Sequence, residues 1–375
     1  MIFWSVVFAI GAAQAALLAM ALWRRPVNAA GNRMLAGWIA LIGFDLAVKA
    51  LYFRDPGPEL IRLYHFVGLF PFLYGSLFYV YVRTLTRGCG FGRGDWVHLL
   101  GFVVALLPNL GTFVQDAAGD RALYLHIRNG GAWPGGAWLD VFLFAYSLSY
   151  VVAGLVCVRR YRRALLQRRS DADRMSLHWI DAMAVSQIVI WCIALTQFLF
   201  DIPWIDYPLI YGAVSAWVFV VGYLSLAQAP VAALEDPEAP DEAPPPAAIA
   251  AADDPRFPAV EAKLSQLMSS ERLYREPALT IAQLARRSGY PEYLVSAVIN
   301  RRFEGNYCDY INRQRVEAAR ACLADGDDAR TILDIAYDCG FTSKSTFNAA
   351  FKRQLGLTPS AYRQQRAAGS ASQRG

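Results

Sequence analysis

The 375-residue sequence predicts an all-α protein: a seven-transmembrane helical bundle followed by an all-α module with two helix-turn-helix units. Seven apolar stretches in the first 228 residues are each long enough to cross a bilayer, which takes about 20 residues of α-helix. Beyond residue 256, apolar residues recur at the spacing of short amphipathic helices. Only 18% of the residues are charged, whereas soluble domains carry about 25%. Part of the chain is therefore predicted to lie in lipid.

The seven predicted spans are separated by short loops, except for a glycine-rich stretch over residues 116–137. Pro108-Asn109 interrupts the fourth span. The spans are Ile2 to Trp23, Met34 to Phe53, Leu60 to Val82, Trp96 to Gln115, Trp138 to Val158, Ile180 to Phe200 and Tyr207 to Gln228.

Arginines mark one side of the predicted membrane domain. They concentrate in the loops after the first, third and fifth spans, and the last of these holds seven between Arg159 and Arg174. Because short loops rich in Lys and Arg stay in the cytoplasm, the N-terminus is predicted outside and everything after Gln228 inside. The Arg159–Arg174 cluster is interpreted as an anchor for anionic headgroups.

Polar side chains inside spans are costly, so they point to packing or function. Asp45 and Lys49 stand four residues apart on one helix face and can pair. Two interpretations stay open: an internal ion pair that fixes helix packing, or part of a ligand pocket between helices. The weaker candidates are expected to make packing hydrogen bonds; they are His65, Asn109, Gln187 and Gln197.

The sequence carries no signature of catalysis or metal binding. The six cysteines form no C-x-x-C pair, and the spans contain neither H-E-x-x-H nor G-x-S-x-G. We therefore predict no enzymatic activity, no catalytic residues, no metal site and no cofactor. Lys49 is the only lysine of the first 228 residues, which argues against a retinal Schiff base in the seventh span.

The predicted domains are residues 1–228 in the membrane, a linker over 229–255, a second domain over 256–366 and a disordered tail over 367–375. The linker holds seven prolines and seven acidic residues with no basic one. Such a composition cannot bury enough apolar surface to order itself, so an extended, inert spacer is expected.

Two segments of the second domain resemble each other at an offset of 51 residues. Ile281-Ala-Gln-Leu-Ala-Arg-Arg-Ser-Gly-Tyr290 matches Ile332-Leu-Asp-Ile-Ala-Tyr-Asp-Cys-Gly-Phe341. In each, an alanine allows close helix crossing and a glycine four residues later supports a turn, as a helix-turn-helix requires. Second helices are predicted over about residues 292–303 and 343–355, the latter with Thr342 as N-cap.

This duplicated unit resembles the AraC family of bacterial transcription activators over about residues 260–366. The second unit carries the most specific motifs, which are Ile335-Ala-Tyr-Asp-Cys-Gly-Phe341, Ser345-Thr-Phe-Asn348 and Gly356-Leu-Thr-Pro-Ser-Ala-Tyr-Arg363. The resemblance implies that one chain places two recognition helices in successive major-groove segments of DNA. Family members usually pair this module with a soluble effector-binding domain, whereas here seven spans occupy that place. Pro291 departs from the polar cap usual in the first unit.

The resemblance also implies which side chains face DNA. In the first recognition helix they are Tyr293, Ser296 and Asn300. In the second they are Lys344, Ser345 and Asn348, with Lys352 nearer a phosphate. Helical spacing places these four on one face, opposite Phe347, Ala350 and Phe351. Five arginines are expected to have phosphate-binding or structural roles: Arg301, Arg302, Arg313, Arg315 and Arg353.

The sequence therefore predicts a multi-pass protein of a bacterial inner membrane that regulates transcription as a one-component sensor. Its expected partners are double-stranded operator DNA, the lipid bilayer, a small-molecule or envelope signal and a second copy of the chain. Dimerisation suits a flexible linker better than rigid transmission does. Two alternatives stay open: a transporter-like or enzyme-like membrane domain fused to the regulator, and a passive membrane anchor.

Overall fold

The computed structural model describes residues 2–131, 133–171, 178–200, 207–226, 231, 254–303, 305–325 and 328–373. Their secondary structure is helical and contains no strand, which confirms the all-α prediction. The described residues divide into two compact units, one within residues 1–159 and 177–235 and the other within residues 160–176 and 236–375. Most of the linker predicted over 229–255 lies outside the described residues.

Among the described residues, the first unit contains seven helical stretches that are long and apolar enough to span a membrane. The predicted glycine-rich loop contains an additional short helix, α6. The bounds are α1 Ile2–Arg24, α2 Ala29–Arg54, α3 Pro58–Val67, α4 Pro71–Arg87, α5 Leu100–Val114, α6 Ala117–Arg128, α7 Ala137–Arg168, α8 His178–Phe200 and α9 Tyr207–Leu226, with a 3₁₀ helix over Arg93–Leu99 before α5.

Two spans differ locally from the sequence prediction. The third is broken into α3 and α4 because Pro71 has no N–H to donate, and the chain makes 3₁₀-type turns through Phe70 instead. The fourth, predicted to be interrupted at Pro108, is a continuous helix through that residue. A proline interior to a helix is tolerated where its neighbours satisfy the freed carbonyl groups, as in membrane bundles.

Small residues bring the membrane helices together. A Cβ added to Gly43 of α2 would lie 2.9 Å from the Cβ of Ala15 in α1, and one added to Gly75 of α4 would lie 2.7 Å from the carbonyl oxygen of Ser147 in α7. Lipid tails are as apolar as the side chains, so the hydrophobic effect does not drive these helices together in a membrane. Close approach of the backbones, which gives tight van der Waals packing, stabilises such contacts instead.

The outer surface of this unit is strongly apolar. Ile2, Phe3 and Trp23 of α1 are at least 60% exposed, and similar side chains continue around the other helices. Among the described residues of the C-terminal unit, only Leu333 and Tyr337 are large exposed hydrophobics. A contiguous apolar surface of this kind is expected to face lipid.

The described part of the C-terminal unit contains seven α-helices from residue 257 onward, with a 3₁₀ helix over Leu273–Arg275. They are α10 Phe257–Ser269, α11 Ile281–Ser288, α12 Glu292–Arg302, α13 Tyr307–Ala324, α14 Ile332–Asp338, α15 Lys344–Leu355 and α16 Pro359–Gln373. Residues 367–373, predicted as part of a disordered tail, continue α16.

Two hydrophobic cores divide this unit between its helix-turn-helix pairs. The first packs α10, α11 and α12 against the N-terminal half of α13 through residues such as Leu264, Leu284 and Val298. The second packs α14, α15 and α16 against the C-terminal half of α13 through residues such as Ile335 and Phe351. Helix α13 is therefore the shared support of both pairs.

Candidate nucleic-acid interface and membrane cluster

The first helix-turn-helix pair is set by its cap and its turn. The Thr280 hydroxyl accepts from the backbone N–H of Gln283, and the Gln283 side chain accepts from that of Thr280, which forms a capping box. Helix α11 ends at Gly289, which has a positive φ of 77°. Pro291 then precedes α12 and makes no side-chain cap hydrogen bond, in agreement with the expected departure.

The second pair uses the same elements with a longer turn. Thr331 and Asp334 form the capping box of α14. Gly340 has a φ of 90°, and a Cβ there would lie 2.5 Å from the carbonyl oxygen of Tyr274, so only glycine fits. The N-cap of α15 is Ser343, whose hydroxyl accepts from Thr346 N–H at 3.1 Å. The prediction of Thr342 as the N-cap is therefore wrong by one residue.

That shift has a simple cause in the turn. The first helices of the two pairs match at 51 residues, but α12 and α15 begin at Glu292 and Lys344, which are 52 residues apart. Buried positions keep this new register, so that Val295 and Ile299 correspond to Phe347 and Phe351. Counted from the matched first helices, the second helix of the second pair therefore begins one residue later.

The same register relates the two sets of predicted DNA-facing residues. Tyr293, Ser296 and Asn300 correspond to Ser345, Asn348 and Lys352, each pair separated by 52 residues. The two recognition helices thus present equivalent positions on equivalent faces.

In α12, the predicted side chains form a partly solvent-accessible row. Tyr293 and Ser296 are partly buried and Asn300 is exposed. The Tyr293 hydroxyl accepts from Arg256 at 3.4 Å, and the Asn300 amide donates to the Ser296 hydroxyl at 3.4 Å. The row ends beside exposed Arg301 and Arg302.

In α15, Lys344, Ser345 and Lys352 are exposed and Asn348 is partly buried. The Ser345 hydroxyl lies 3.0 Å from that of Ser343. The opposite face is fully buried, with Phe347, Ala350 and Phe351 in the second core. The exposed face carries two ammonium groups, an amide and a hydroxyl, which can contact phosphates and purine edges.

The arginines divide between surface and structural positions. Arg353 of α15 pairs with Asp309 of α13 at 3.0 Å, and Arg313 donates to the carbonyl oxygen of Phe303 at 3.1 Å. Arg301 lies over the Phe257 ring at 5.6 Å. These contacts fix the recognition helices against α10 and α13.

Arg315 of α13 is 1% exposed and connects the two cores. Its guanidinium donates to the carbonyl oxygens of Tyr274 at 2.8 Å and Glu276 at 2.9 Å, and lies 5.7 Å from the Phe341 ring centroid. Burial lowers its pKa to about 10, so the group is charged at neutral pH. The sequence predicts only a structural or phosphate-binding role for Arg315. Its contacts with both helix-turn-helix pairs are seen only in the folded structure.

The membrane candidates Asp45 and Lys49 are brought together. They form a buried ion pair within α2, with each side chain 1% exposed. The Tyr74 hydroxyl donates to the Asp45 carboxylate at 2.9 Å, and the Lys49 ammonium lies 3.9 Å from the Tyr211 ring centroid. The cluster therefore joins α2, α4 and α9.

A cavity of about 130 Å³ lies in the same unit. Its walls are mainly apolar, and seven of the sixteen lining residues are aromatic, among them Trp38, Tyr74, Trp191 and Trp217. Among the described residues, the Gln187 amide oxygen and the Trp38 indole N–H of this lining are buried without hydrogen-bond partners. Unsatisfied buried polar atoms are costly, so an occupant that satisfies them would be stabilised.

The weaker membrane candidates have different environments. His65 and Asn109 hydrogen bond to each other at 2.9 Å, as expected of packing residues. Gln187 differs from that expectation, because it lines the cavity and its buried amide oxygen has no hydrogen-bond partner among the described residues.

Comparison with known proteins identifies relatives of the C-terminal part. A family model described as a helix-turn-helix domain matches residues 284–365. Regulatory protein SoxS of Escherichia coli K12 is 35% identical over 85 residues, which cover 23% of this chain and 78% of SoxS. SoxS of Salmonella typhimurium is 33% identical over 85 residues, which again cover 23% of this chain and 78% of SoxS.

The melibiose operon regulatory protein of Escherichia coli K12 is 31% identical over 100 residues, or 27% of this chain and 32% of that protein. No solved structure shows a significant match.

Proposed function

The chain belongs to the AraC family, and we propose that it is a membrane-bound, sequence-specific DNA-binding regulator whose membrane domain responds to a signal. Its C-terminal module is a helix-turn-helix transcription regulator by its relatives. The membrane location, the response and the contact residues are the parts that we propose.

The equivalent faces of α12 and α15 carry the proposal of DNA binding. Three pairs of candidate contact residues recur at a separation of 52, although the preceding helices match at 51. A packing constraint accounts for the buried positions, but two matched polar faces on separate cores favour a ligand with repeated recognition sites. Successive major-groove segments of duplex DNA have this repeat.

Seven apolar candidate spans and the arginine-rich alternate loops support a bacterial inner-membrane location. In this topology the N-terminus is outside and the DNA-binding module is in the cytoplasm. The module can then bind chromosomal DNA while the chain remains inserted in the lipid bilayer.

The aromatic cavity is our candidate site for the signal. Its volume of about 130 Å³ fits a molecule the size of one ring system. The unpartnered Gln187 oxygen and Trp38 N–H favour an apolar ring that carries one hydrogen-bond donor and one acceptor. Tyr74 connects this lining to the Asp45–Lys49 pair.

The decisive experiment maps the genomic DNA recovered with the full-length protein in membranes and measures reporter transcription from the recovered fragments. The K344A/N348A variant should lose enrichment while remaining in the membrane. Equal enrichment by this variant and the wild type would contradict DNA binding through α15.

A second variant, A194W, fills the cavity that Ala194 lines. It should abolish any change of reporter output across growth conditions while DNA enrichment persists. If the response of A194W equals that of the wild type, the cavity is not the signal site. If the reporter output of the wild type itself is constant in every condition, the membrane domain is better explained as a passive anchor.

A further inference from the structure

Three residues that follow α7, Arg169, Ser170 and Asp171, are part of the compact C-terminal unit. Ser170 is fully buried and Asp171 is 5% exposed. Burial of this kind is unusual for polar residues in an arginine-rich loop, for which a headgroup anchor is the simplest expectation.

Each polar group of Ser170 contacts a different residue of the DNA-binding module. Its N–H donates to the carbonyl oxygen of Leu279 at 3.2 Å, next to an antiparallel bridge between Arg169 and Thr280. Its carbonyl oxygen accepts from the Cys308 thiol at 3.5 Å. Its hydroxyl accepts from the Arg315 guanidinium at 3.1 Å.

These contacts converge where the two helix-turn-helix pairs meet. Thr280 caps the first helix of the first pair, and Cys308 and Arg315 belong to α13, which supports both pairs. Arg315 also lies against Phe341 of the second pair. Ser170 therefore supplies one oxygen to the buried charge that connects the two cores.

We propose that Arg169–Asp171 is a docking segment that binds the joint between the two helix-turn-helix pairs and restrains their relative orientation. The segment directly follows α7, the helix that contains the fifth candidate span. A displacement of α7 would reach the DNA-binding module through this attachment. The effect of docking on operator binding rests on the proposed function, whereas the docking itself depends on neither DNA nor a signal.

The docked segment leaves the candidate DNA-facing residues free. Its hydrogen bonds involve Leu279, Cys308 and Arg315, none of which is among the seven predicted contacts. Docking is thus compatible with DNA binding, and a restrained joint should favour an operator with fixed spacing of its two half-sites, because preorganisation reduces the ordering cost of binding.

The first test measures thiol labelling of the full-length S170C variant in lipid nanodiscs, with each cysteine quantified by mass spectrometry. Cys89 is exposed and serves as the internal control. If the segment is docked, the thiol introduced by S170C should react at least about tenfold more slowly than Cys89, because it becomes accessible only in rare openings. Equal rates would overturn the docking proposal.

The second test locks the segment by oxidising S170C, whose new thiol would lie near native Cys308, and compares it with the S170C/C308S control. We expect an intramolecular disulfide that tightens binding to a mapped operator fragment about threefold, through preorganisation, and reverses on reduction. A disulfide between two chains would overturn docking within one chain. Unchanged affinity of the locked form would overturn the restraint of the joint.

The two proposals fail in different ways. Rapid labelling of S170C in protein that still binds operator DNA would contradict docking alone. Protected S170C in protein that binds no DNA, oxidised or reduced, would contradict the proposed function and leave the docking segment in place.

Discussion

Lys49 and Arg315 are two buried positive charges that the protein stabilises by different means. Lys49 has a carboxylate four residues earlier on its own helix and an aromatic ring from α9. Arg315 is held by neutral oxygens, including the carbonyl groups of Tyr274 and Glu276. An ion pair can be replaced as a unit, whereas a charge held by several backbone groups depends on the surrounding fold.

Replacement of Asp45 and Lys49 should therefore be strongly non-additive. The D45L variant leaves a buried ammonium without its carboxylate and should cost about 3–5 kcal/mol, whereas the D45L/K49L double variant should cost less than the single one. Thermal unfolding of the four proteins of this cycle in detergent would measure the coupling. Additive losses would show that the two charges do not stabilise each other. Reporter response in the double variant would then separate a packing role from a ligand role.

Asn348 and Lys352 should affect DNA binding in different ways. N348A removes an amide that can read a base edge and should relax preference at one operator position by about 1–3 kcal/mol. K352A removes a phosphate contact and should weaken all sequences alike, lowering the slope of log affinity against log salt by about 1. Competition binding with single-base operator variants at several salt concentrations measures both. A sequence-selective loss in K352A would reverse these roles.

At the scale of the helix, the two recognition helices start differently. Helix α12 follows Pro291, which has no capping side chain, and has Glu292 as its first residue. Helix α15 follows the hydroxyl cap of Ser343 and has Lys344 as its first residue. The positive N-terminal end of α15 and its lysine both favour a phosphate, while Glu292 opposes one at the equivalent position. We therefore infer that α15 makes the stronger DNA contact.

The cap of α15 gives a direct test of the register change. S343A should destabilise the C-terminal module by about 1 kcal/mol because the N–H of Thr346 loses its acceptor. T342A is the matched control and should have a smaller effect, since Thr342 does not cap the helix. Denaturant unfolding, monitored by far-UV circular dichroism, would compare the two variants. A larger loss in T342A would restore the original 51-residue register.

Local patterns predicted most elements of the fold but not every connection between them. Apolar length identified seven spans, and the paired Ala-Gly pattern identified both helix-turn-helix units, because these features depend on nearby residues. The register change at Ser343 could not be predicted in this way, because it follows from the packing of Phe347 into the second core. A sequence offset between two repeats contains no information on packing. The contact between Ser170 and Arg315 joins residues 145 positions apart, and no periodicity encodes it.

At the scale of the whole molecule, two stretches of sequence can link the candidate spans to the DNA-binding module. One connection is the acidic, proline-rich sequence over residues 229–255, and the other is the segment after α7 that contacts α13. An acidic stretch is repelled by both phosphate headgroups and DNA, so it can keep the module available for binding. Restraint of the joint between the helix-turn-helix pairs requires defined contacts, and Ser170 makes such contacts. A spacer needs none, because its reach depends only on its length and composition.

These roles predict that the order of residues in the linker is unimportant. A chain in which residues 232–253 are shuffled, with length, proline content and charge retained, should respond like the wild type in the reporter assay, because spacer reach depends on composition. The matched variant S170W, which places a large side chain at a fully buried position, should lose the response while remaining in the membrane. Reporter output and membrane content of both variants are measured together. Loss of response in the shuffled chain, with S170W unaffected, would assign transmission to the linker and not to the docking segment.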